Sequence, residues 1–122
     1  MVEVVEIFSG KKFVICMLVS NGRPLFKDFM DSLEDSERKK VFALIERTAE
    51  EGPPLNEEKF KKVAGEKFFE LKTRQARILC VFGKDRKIVL LNSFKKQQRR
   101  IPKAELEKAR DLLSQYSRGD EQ

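Results

Sequence analysis

The sequence contains no histidine and no tryptophan, and Tyr116 is its only tyrosine. Without histidine, the usual general base and the usual zinc ligand are missing, and so is every Ser-His or Cys-His nucleophile pair. The two cysteines, Cys16 and Cys80, would coordinate zinc poorly by themselves. Any catalysis must therefore use Lys, Arg, Tyr, Asp or Glu, and no metal or other cofactor is expected.

Long hydrophobic runs are also missing. The longest, Phe13–Val19, has the length of a strand and falls well short of the roughly 20 residues that cross a bilayer. Met1–Val4 shows no basic region followed by an apolar stretch, so no signal peptide is predicted. The expected location is the cytoplasm, without a membrane partner. Cys16 and Cys80 would then be buried reduced thiols, with a disulfide between neighbouring strands as the alternative.

Negative charge is scarce in the second half of the chain. Residues 1–58 contain 8 Lys and Arg against 12 Asp and Glu, a net charge of −4. Residues 59–122 contain 18 Lys and Arg against 8 Asp and Glu, a net charge of +10. A chain polarised in this way is expected to present a basic face to a polyanion, so nucleic-acid binding is favoured over a merely solvated Lys-rich surface.

The length of 122 residues predicts a single domain over residues 1–122. Five strands are expected, which are Val2–Phe8, Phe13–Ser20, Lys67–Arg74, Arg77–Gly83 and Lys87–Phe94. Residues 56–65, ahead of the third of these strands, are predicted to form a charged connector with one turn of helix.

Three helices are predicted to accompany these strands. Pro24 suits the first turn of the first helix, and Asp35 or Ser36 can cap the second. Gly52, followed by two prolines, ends the second helix, and Pro102 opens the last one. The buried face of the last helix is predicted to consist of Leu106, Ala109, Leu113 and Tyr116.

This order of elements predicts the α+β class, with a twisted, mostly antiparallel β-sheet and helices packed on one of its faces. The segment Ile88–Leu91 is apolar on both faces of its strand, which is typical of a central strand covered on both sides. Residues 117–122 are predicted to be a frayed polar tail.

Four segments of the second half carry a family pattern, namely Phe68–Lys72, Arg77–Phe82, Ile88–Lys96 and Ile101–Ala109. Together they resemble the phage-derived HigB-type toxins of the RelE superfamily. In those toxins a strand ending Glu-Leu-Arg is followed by a strand beginning Arg-Val, an apolar strand ending Phe-x-Lys-Lys, and a helix opened by Pro. The segments Phe29–Leu33 and Gly52–Leu55 are also similar, so the resemblance covers about residues 22–117.

The sequence departs from this pattern at four places. Lys72 stands where the family usually has Arg, and Cys80 stands where an aromatic residue is common. Phe94 is followed directly by Lys95 and Lys96, without the usual spacer. The N-terminal hairpin is also longer than is typical.

The resemblance implies a RelE-like fold and a toxin of a type II toxin–antitoxin system that cleaves mRNA, often on the ribosome. It also implies a cognate antitoxin, commonly a helix-turn-helix DNA-binding protein. Cleavage requires an RNA 2′-hydroxyl to lose its proton and attack the adjacent phosphorus. Arg offers a bidentate fork for phosphate oxygens, and a Lys crowded by other cations has a lowered pKa and can act as a base.

The candidate catalytic residues lie near the predicted strand ends. Strand alternation places Lys72 and Arg74 on one face, and Arg77 can lie beside them across a tight turn. We expect Arg77 to clamp the scissile phosphate and Lys96 to stabilise its developing charge. Lys72 and Arg74 would position the backbone, or one of them would act as the base. For Glu70, a salt bridge is favoured over a role as base.

Four further residues are candidates for RNA contact, namely Lys95, Arg99, Lys67 and Tyr116. For Tyr116 a core or rim position is favoured by its helical spacing, while stacking or proton transfer stays open. Two rival functions also stay open: a non-catalytic RNA-binding module, and a phage-derived interaction protein whose basic face meets an acidic partner. A metal-dependent nuclease is disfavoured because the carboxylates cluster in the N-terminal half.

Overall fold

The computed structural model describes residues 1–120, which form seven strands and three helices. The strands are β1 (Val2–Ser9), β2 (Val14–Ser20), β3 (Arg23–Pro24), β4 (Phe60–Lys62), β5 (Phe69–Lys72), β6 (Ala76–Phe82) and β7 (Lys87–Lys95). The helices are α1 (Leu25–Asp31), α2 (Asp35–Glu51) and α3 (Lys103–Asp120). The predicted α+β class is confirmed.

The strands form one mixed sheet in the order β1-β2-β7-β6-β5-β4, and the short β3 pairs with β2. Neighbouring strands in the described residues are antiparallel except β2 and β7, which run parallel with Ile15 opposite Ile88 and Cys16 opposite Val89. The turn predicted after β2 is present, with Asn21 at φ 51° and Gly22 at φ 81°. Such left-handed backbone is tolerated by Asn and Gly.

Helices cover both faces of the sheet, so the prediction that they pack on one face is wrong. α1 and α2 pack on the face that carries Ile78, Ile88 and Leu90. α3 packs on the opposite face against Leu79 and Leu91, with the predicted residues of its apolar side in that cluster. The reason is that β7 is apolar on both sides, and each side must be removed from water.

Both cysteines are buried and unpaired in the described structure, so the prediction of buried free thiols is confirmed. Because Cys16 belongs to the cluster beneath α3 and Cys80 to the cluster beneath α1 and α2, the two thiols lie on opposite faces. The disulfide alternative is therefore excluded.

Two local predictions are corrected. The connector at residues 56–65 contains the strand β4 after a turn, because Phe60 pairs with Leu71 of β5 and stacks on Phe69 at 5.2 Å between ring centroids. α3 continues as helix to Asp120, so residues 117–120 are not a frayed tail, and residues 121–122 lie outside the described residues. None of the helices within residues 1–120 has the length and apolar content needed to cross a membrane.

Candidate nucleic-acid interface

Three strand ends meet at one end of the sheet. β5 and β6 are joined by a tight turn, in which Thr73 N donates to Ala76 O at 3.0 Å and Ala76 N donates to Thr73 Oγ1 at 3.1 Å. β7 runs antiparallel to β6, so its last residues return to this turn, where Lys96 N donates to Gln75 O at 2.7 Å. The pairing places Lys72 directly opposite Arg77. Backbone hydrogen bonds therefore hold together the strand ends that carry the cations.

A cleft of about 580 Å³ lies at this end of the sheet, and we call it the basic cleft. It is lined by Glu58, Lys59, Lys61, Lys72, Thr73, Arg74, Arg77, Lys96 and Arg99. Seven of these nine residues are cations and one is a carboxylate. Four of the predicted catalytic residues and one of the predicted RNA contacts are therefore brought together.

A buried ion pair lies beside this cleft. Arg77 Nε donates to Glu70 Oε2, and Arg77 Nη1 donates to Gln98 O at 3.1 Å. Only 4% of Arg77 and 1% of Glu70 are exposed. Glu70 thus has the salt bridge that the sequence favoured. Its other oxygen, Oε1, accepts no hydrogen bond from the described residues and lies 3.9 Å from Lys72 Nζ.

The pKa of Lys72 is lowered from its ordinary value, mainly because its ammonium group is partly buried. The neighbouring cations Lys61, Arg77 and Lys96 lower this pKa further, while the carboxylate of Glu70 acts in the opposite direction. The expected lowering for a crowded lysine is found, although burial contributes more than the neighbouring charges. A lowered pKa increases the fraction of neutral amine, the form that accepts a proton.

Residues 28–114 match the family model described as Phage derived protein Gp49-like (DUF891). The chain belongs to this family. The family is related to the RelE-type toxins, which are endoribonucleases. No curated protein matches the chain. The matched residues begin within α1 and end within α3, so they include the whole lining of the basic cleft and leave out β1, β2 and β3.

In this Gp49-like protein, three of the predicted RNA contacts lie away from the basic cleft. Lys95 pairs with Ala76, a core residue beneath α1 and α2, and alternation directs its side chain to that face. Lys67 and Tyr116 line a separate cavity of about 740 Å³ between α3 and the far end of β6. Tyr116 is buried in the core, as its spacing indicated, and its hydroxyl lies so close to Gly83 that a Cβ there would collide with it.

Sequence reasoning missed Lys59 and Lys61, which line the cleft of the Gp49-like protein from β4 and the turn before it. The reason is that residues 56–65 were interpreted as a connector. The sequence carries little strand signal here, since Phe60 is the only apolar residue of the three in β4. In β4, Lys61 lies opposite Glu70, which brings its charge to the cleft. Among the side chains that the structure describes, no group of three His, Cys, Asp or Glu residues is placed to hold a metal ion.

Proposed function

We propose that this Gp49-like protein is the toxin of a type II toxin–antitoxin system, of the HigB kind, and that it cleaves mRNA without a metal in the basic cleft. The observation that carries the proposal is the position of Lys72, a lysine of lowered pKa, among the converging cations of three strand ends. The relation of the family to RelE-type toxins supports the same reaction.

Substrate binding is assigned to the exposed cations of the cleft. Arg74, Lys96 and Arg99 are exposed, so they can reach phosphate oxygens without losing an existing buried contact. Arg77 is nearly buried and uses Nε and one Nη1 hydrogen for Glu70 and Gln98. A guanidinium carries five N–H groups. Arg77 therefore keeps further donors for the scissile phosphate while Glu70 fixes the plane of its side chain.

The proposed reaction begins with the neutral amine of Lys72 accepting the proton of a ribose 2′-hydroxyl. The 2′-oxygen attacks the adjacent phosphorus, and the bond from phosphorus to the 5′-oxygen breaks. The products are a 2′,3′-cyclic phosphate and a 5′-hydroxyl, whose proton can come from an ammonium group such as Lys96. Arg77 and Lys96 stabilise the charge that gathers on the phosphate in the transition state.

Glu70 completes this proposal through its unpartnered oxygen. After proton transfer Lys72 carries a full positive charge in a crowded cationic cleft. Glu70 Oε1, at 3.9 Å, can then accept a hydrogen bond from the new ammonium group after a small movement of either side chain. A charge-assisted hydrogen bond of this kind stabilises the protonated lysine as the reaction proceeds.

The partners that the proposal includes are mRNA, which the protein is expected to cleave both on the ribosome and free of it, and an antitoxin. Relation to the RelE-type toxins suggests an antitoxin partner. We propose that this antitoxin is a helix-turn-helix protein encoded next to the toxin, and that the pair acts in the cytoplasm. Unrelated genes on both sides of the coding sequence would speak against this part of the proposal.

The decisive experiment combines purified protein with expression in a bacterial host. We expect single-stranded RNA to be cleaved in the presence of EDTA, leaving 5′-hydroxyl ends, and RNA with 2′-deoxyribose at the mapped cleavage positions to stay intact. Induced expression should arrest growth and produce new mRNA 5′ ends. If RNA stays intact in both settings but binds tightly and salt-sensitively, the protein is a non-catalytic RNA-binding module and the nuclease proposal fails.

A further inference from the structure

A second basic groove of about 300 Å³ lies beside the basic cleft, against α2. It is lined by Lys40, Ala43, Leu44, Arg47, Lys59, Lys72, Thr73 and Arg74. Five of these eight residues are cations, and no carboxylate is among the described residues of the lining. We call this surface the α2 groove. Lys40 and Arg47 come from the half of the chain whose net charge is negative, whereas Lys59, Lys72 and Arg74 come from the basic half.

One side of helix α2 forms the outer wall of this groove. Lys40, Ala43, Leu44 and Arg47 stand at positions i, i+3, i+4 and i+7, so they share one side of the helix. The small and apolar side chains between the two cations leave room for a ribose or a base. This side of the helix therefore offers cations about two helical turns apart with an apolar surface between them.

The α2 groove continues into the basic cleft. Lys59, Lys72, Thr73 and Arg74 line both, because the β5–β6 turn lies between them. Arg47 is already bonded to Glu51 through Nε at 2.9 Å, but 73% and 64% of these two side chains are exposed. Exposed pairs of this kind contribute little to stability, so a phosphate can compete with Glu51 for the guanidinium.

We infer that the RNA strand that enters the basic cleft continues over the β5–β6 turn and lies in the α2 groove, where Lys40 and Arg47 contact its flanking phosphates. This inference rests on the proposed function and names a second contact surface for the same substrate. A single strand has a flexible backbone with one charge per nucleotide, which a groove of spaced cations can track without reading its sequence.

The test compares two double variants with equal loss of charge. Lys40→Ala/Arg47→Ala removes the two groove cations, while Lys39→Ala/Lys108→Ala removes two exposed cations that line neither surface. The probes are a long single-stranded 2′-O-methyl oligonucleotide, which lacks the attacking hydroxyl, and a trinucleotide of the same chemistry. Binding is measured over a series of salt concentrations, with circular dichroism as the check of folding.

We expect the groove variant to bind the long probe about threefold to tenfold more weakly. The slope of log K against log salt should become about 1.4 less steep, which corresponds to the loss of two phosphate contacts on a single strand. Trinucleotide binding and the cleavage of short RNA should be unchanged, and the control variant should match the wild type. Glu51→Gln, which releases Arg47 without removing it, should strengthen binding of the long probe slightly.

Equal binding of the long probe by the groove variant and the control would overturn the inference, while RNA cleavage by the wild type would leave the proposed function standing. The inference is also overturned if the groove variant loses affinity equally for long and short probes, because the α2 groove would then not be a separate contact. Failure of the wild-type protein to bind or cleave any RNA would overturn both proposals.

Discussion

Glu70 and Arg77 form an ion pair between neighbouring strands, and both side chains are almost fully buried beside the basic cleft. Glu70 holds the Arg77 side chain at Nε, and the carbonyl oxygen of Gln98, in the segment that follows β7, holds it at Nη1. A charge removed from water in this way is tolerated because it is paired, so the pair acts on both stability and site geometry.

The buried pair predicts a large loss of stability for Glu70→Gln. This substitution leaves the Arg77 charge buried without a counter-charge, and we expect the free energy of unfolding to fall by about 3–5 kcal/mol. The measurement is urea denaturation followed by circular dichroism. The matched control is Glu51→Gln, which breaks an exposed pair and should cost at most about 1 kcal/mol. Equal losses for both variants would show that the buried pair contributes no more than a surface one.

The two adjacent lysines after Phe94 predict a sharp contrast in activity. Lys96 lines the basic cleft, whereas alternation places Lys95 on the opposite face of the sheet. We expect Lys96→Ala to lower kcat/KM for RNA cleavage by about 10²–10³, the effect of losing one donor to the developing charge. Lys95→Ala removes the same charge and should stay within about twofold of the wild type. Similar effects of the two variants would remove Lys96 from the site.

The proposed role of Lys72 as base predicts a particular dependence of cleavage on pH. The neutral amine is the reactive form, so the rate should rise with pH and level off above the lowered pKa of Lys72. Lys72→Arg keeps the charge but cannot lose its proton near neutral pH. We expect it to lower kcat by about 10²–10⁴ and to abolish the rise. Full activity of Lys72→Arg, with an unchanged profile, would show that this position supplies only charge.

The cations around Lys72 allow a second test of the same profile. Glu70 on β5, Lys61 on β4, Arg77 on β6 and Lys96 after β7 all act on the Lys72 amine. Lys61→Met removes a cation that lowers the Lys72 pKa, so that pKa should rise, the rising limb should move to higher pH, and the rate at neutral pH should fall. Lys62→Met, at the next position of β4, is the control and should leave the limb in place.

The burial of Cys80 predicts an inert thiol in the folded protein. Burial raises the pKa of Cys80 to about 12, and the nearby carboxylate of Glu70 adds to the effect. The reactive thiolate is therefore almost absent at neutral pH. We expect iodoacetamide to modify Cys80 slowly in the native protein and rapidly after denaturation, as measured by mass spectrometry of the peptides. Rapid native modification would show that the sheet opens locally at β6.

Many local features were predictable because they depend on residues close together in the chain. Asn21-Gly22 indicated a turn, Gly52 with two prolines indicated the end of a helix, and Ile88–Leu91 indicated a central strand. The excess of cations after residue 58 indicated a basic surface. The family pattern added the strand ends that carry Lys72, Arg77 and Lys96. Each of these signals is a matter of spacing or residue type within one element.

Contacts between distant segments were not predictable in the same way. No local pattern states that β2 pairs in parallel with β7, or that α3 covers the face opposite α1 and α2. β4 was missed because a three-residue strand has little periodicity of its own and exists through its pairing with β5. Lys67 and Tyr116 were grouped with the cleft, yet Lys67 precedes β5 and Tyr116 lies in α3, and both line the cavity at the far end of β6.

The sequence by itself determined most of the elements, the surplus of positive charge and the residue types that are available for catalysis without histidine. The tertiary structure alone decided which cations share a surface: it placed Lys96 rather than Lys95 at the cleft, added Lys61 to it, and buried Arg77 against Glu70. The physical reason is that strand alternation fixes the side of a residue only relative to its own strand. Strand register and helix placement depend on packing between distant segments, and they decide which residues lie next to that side.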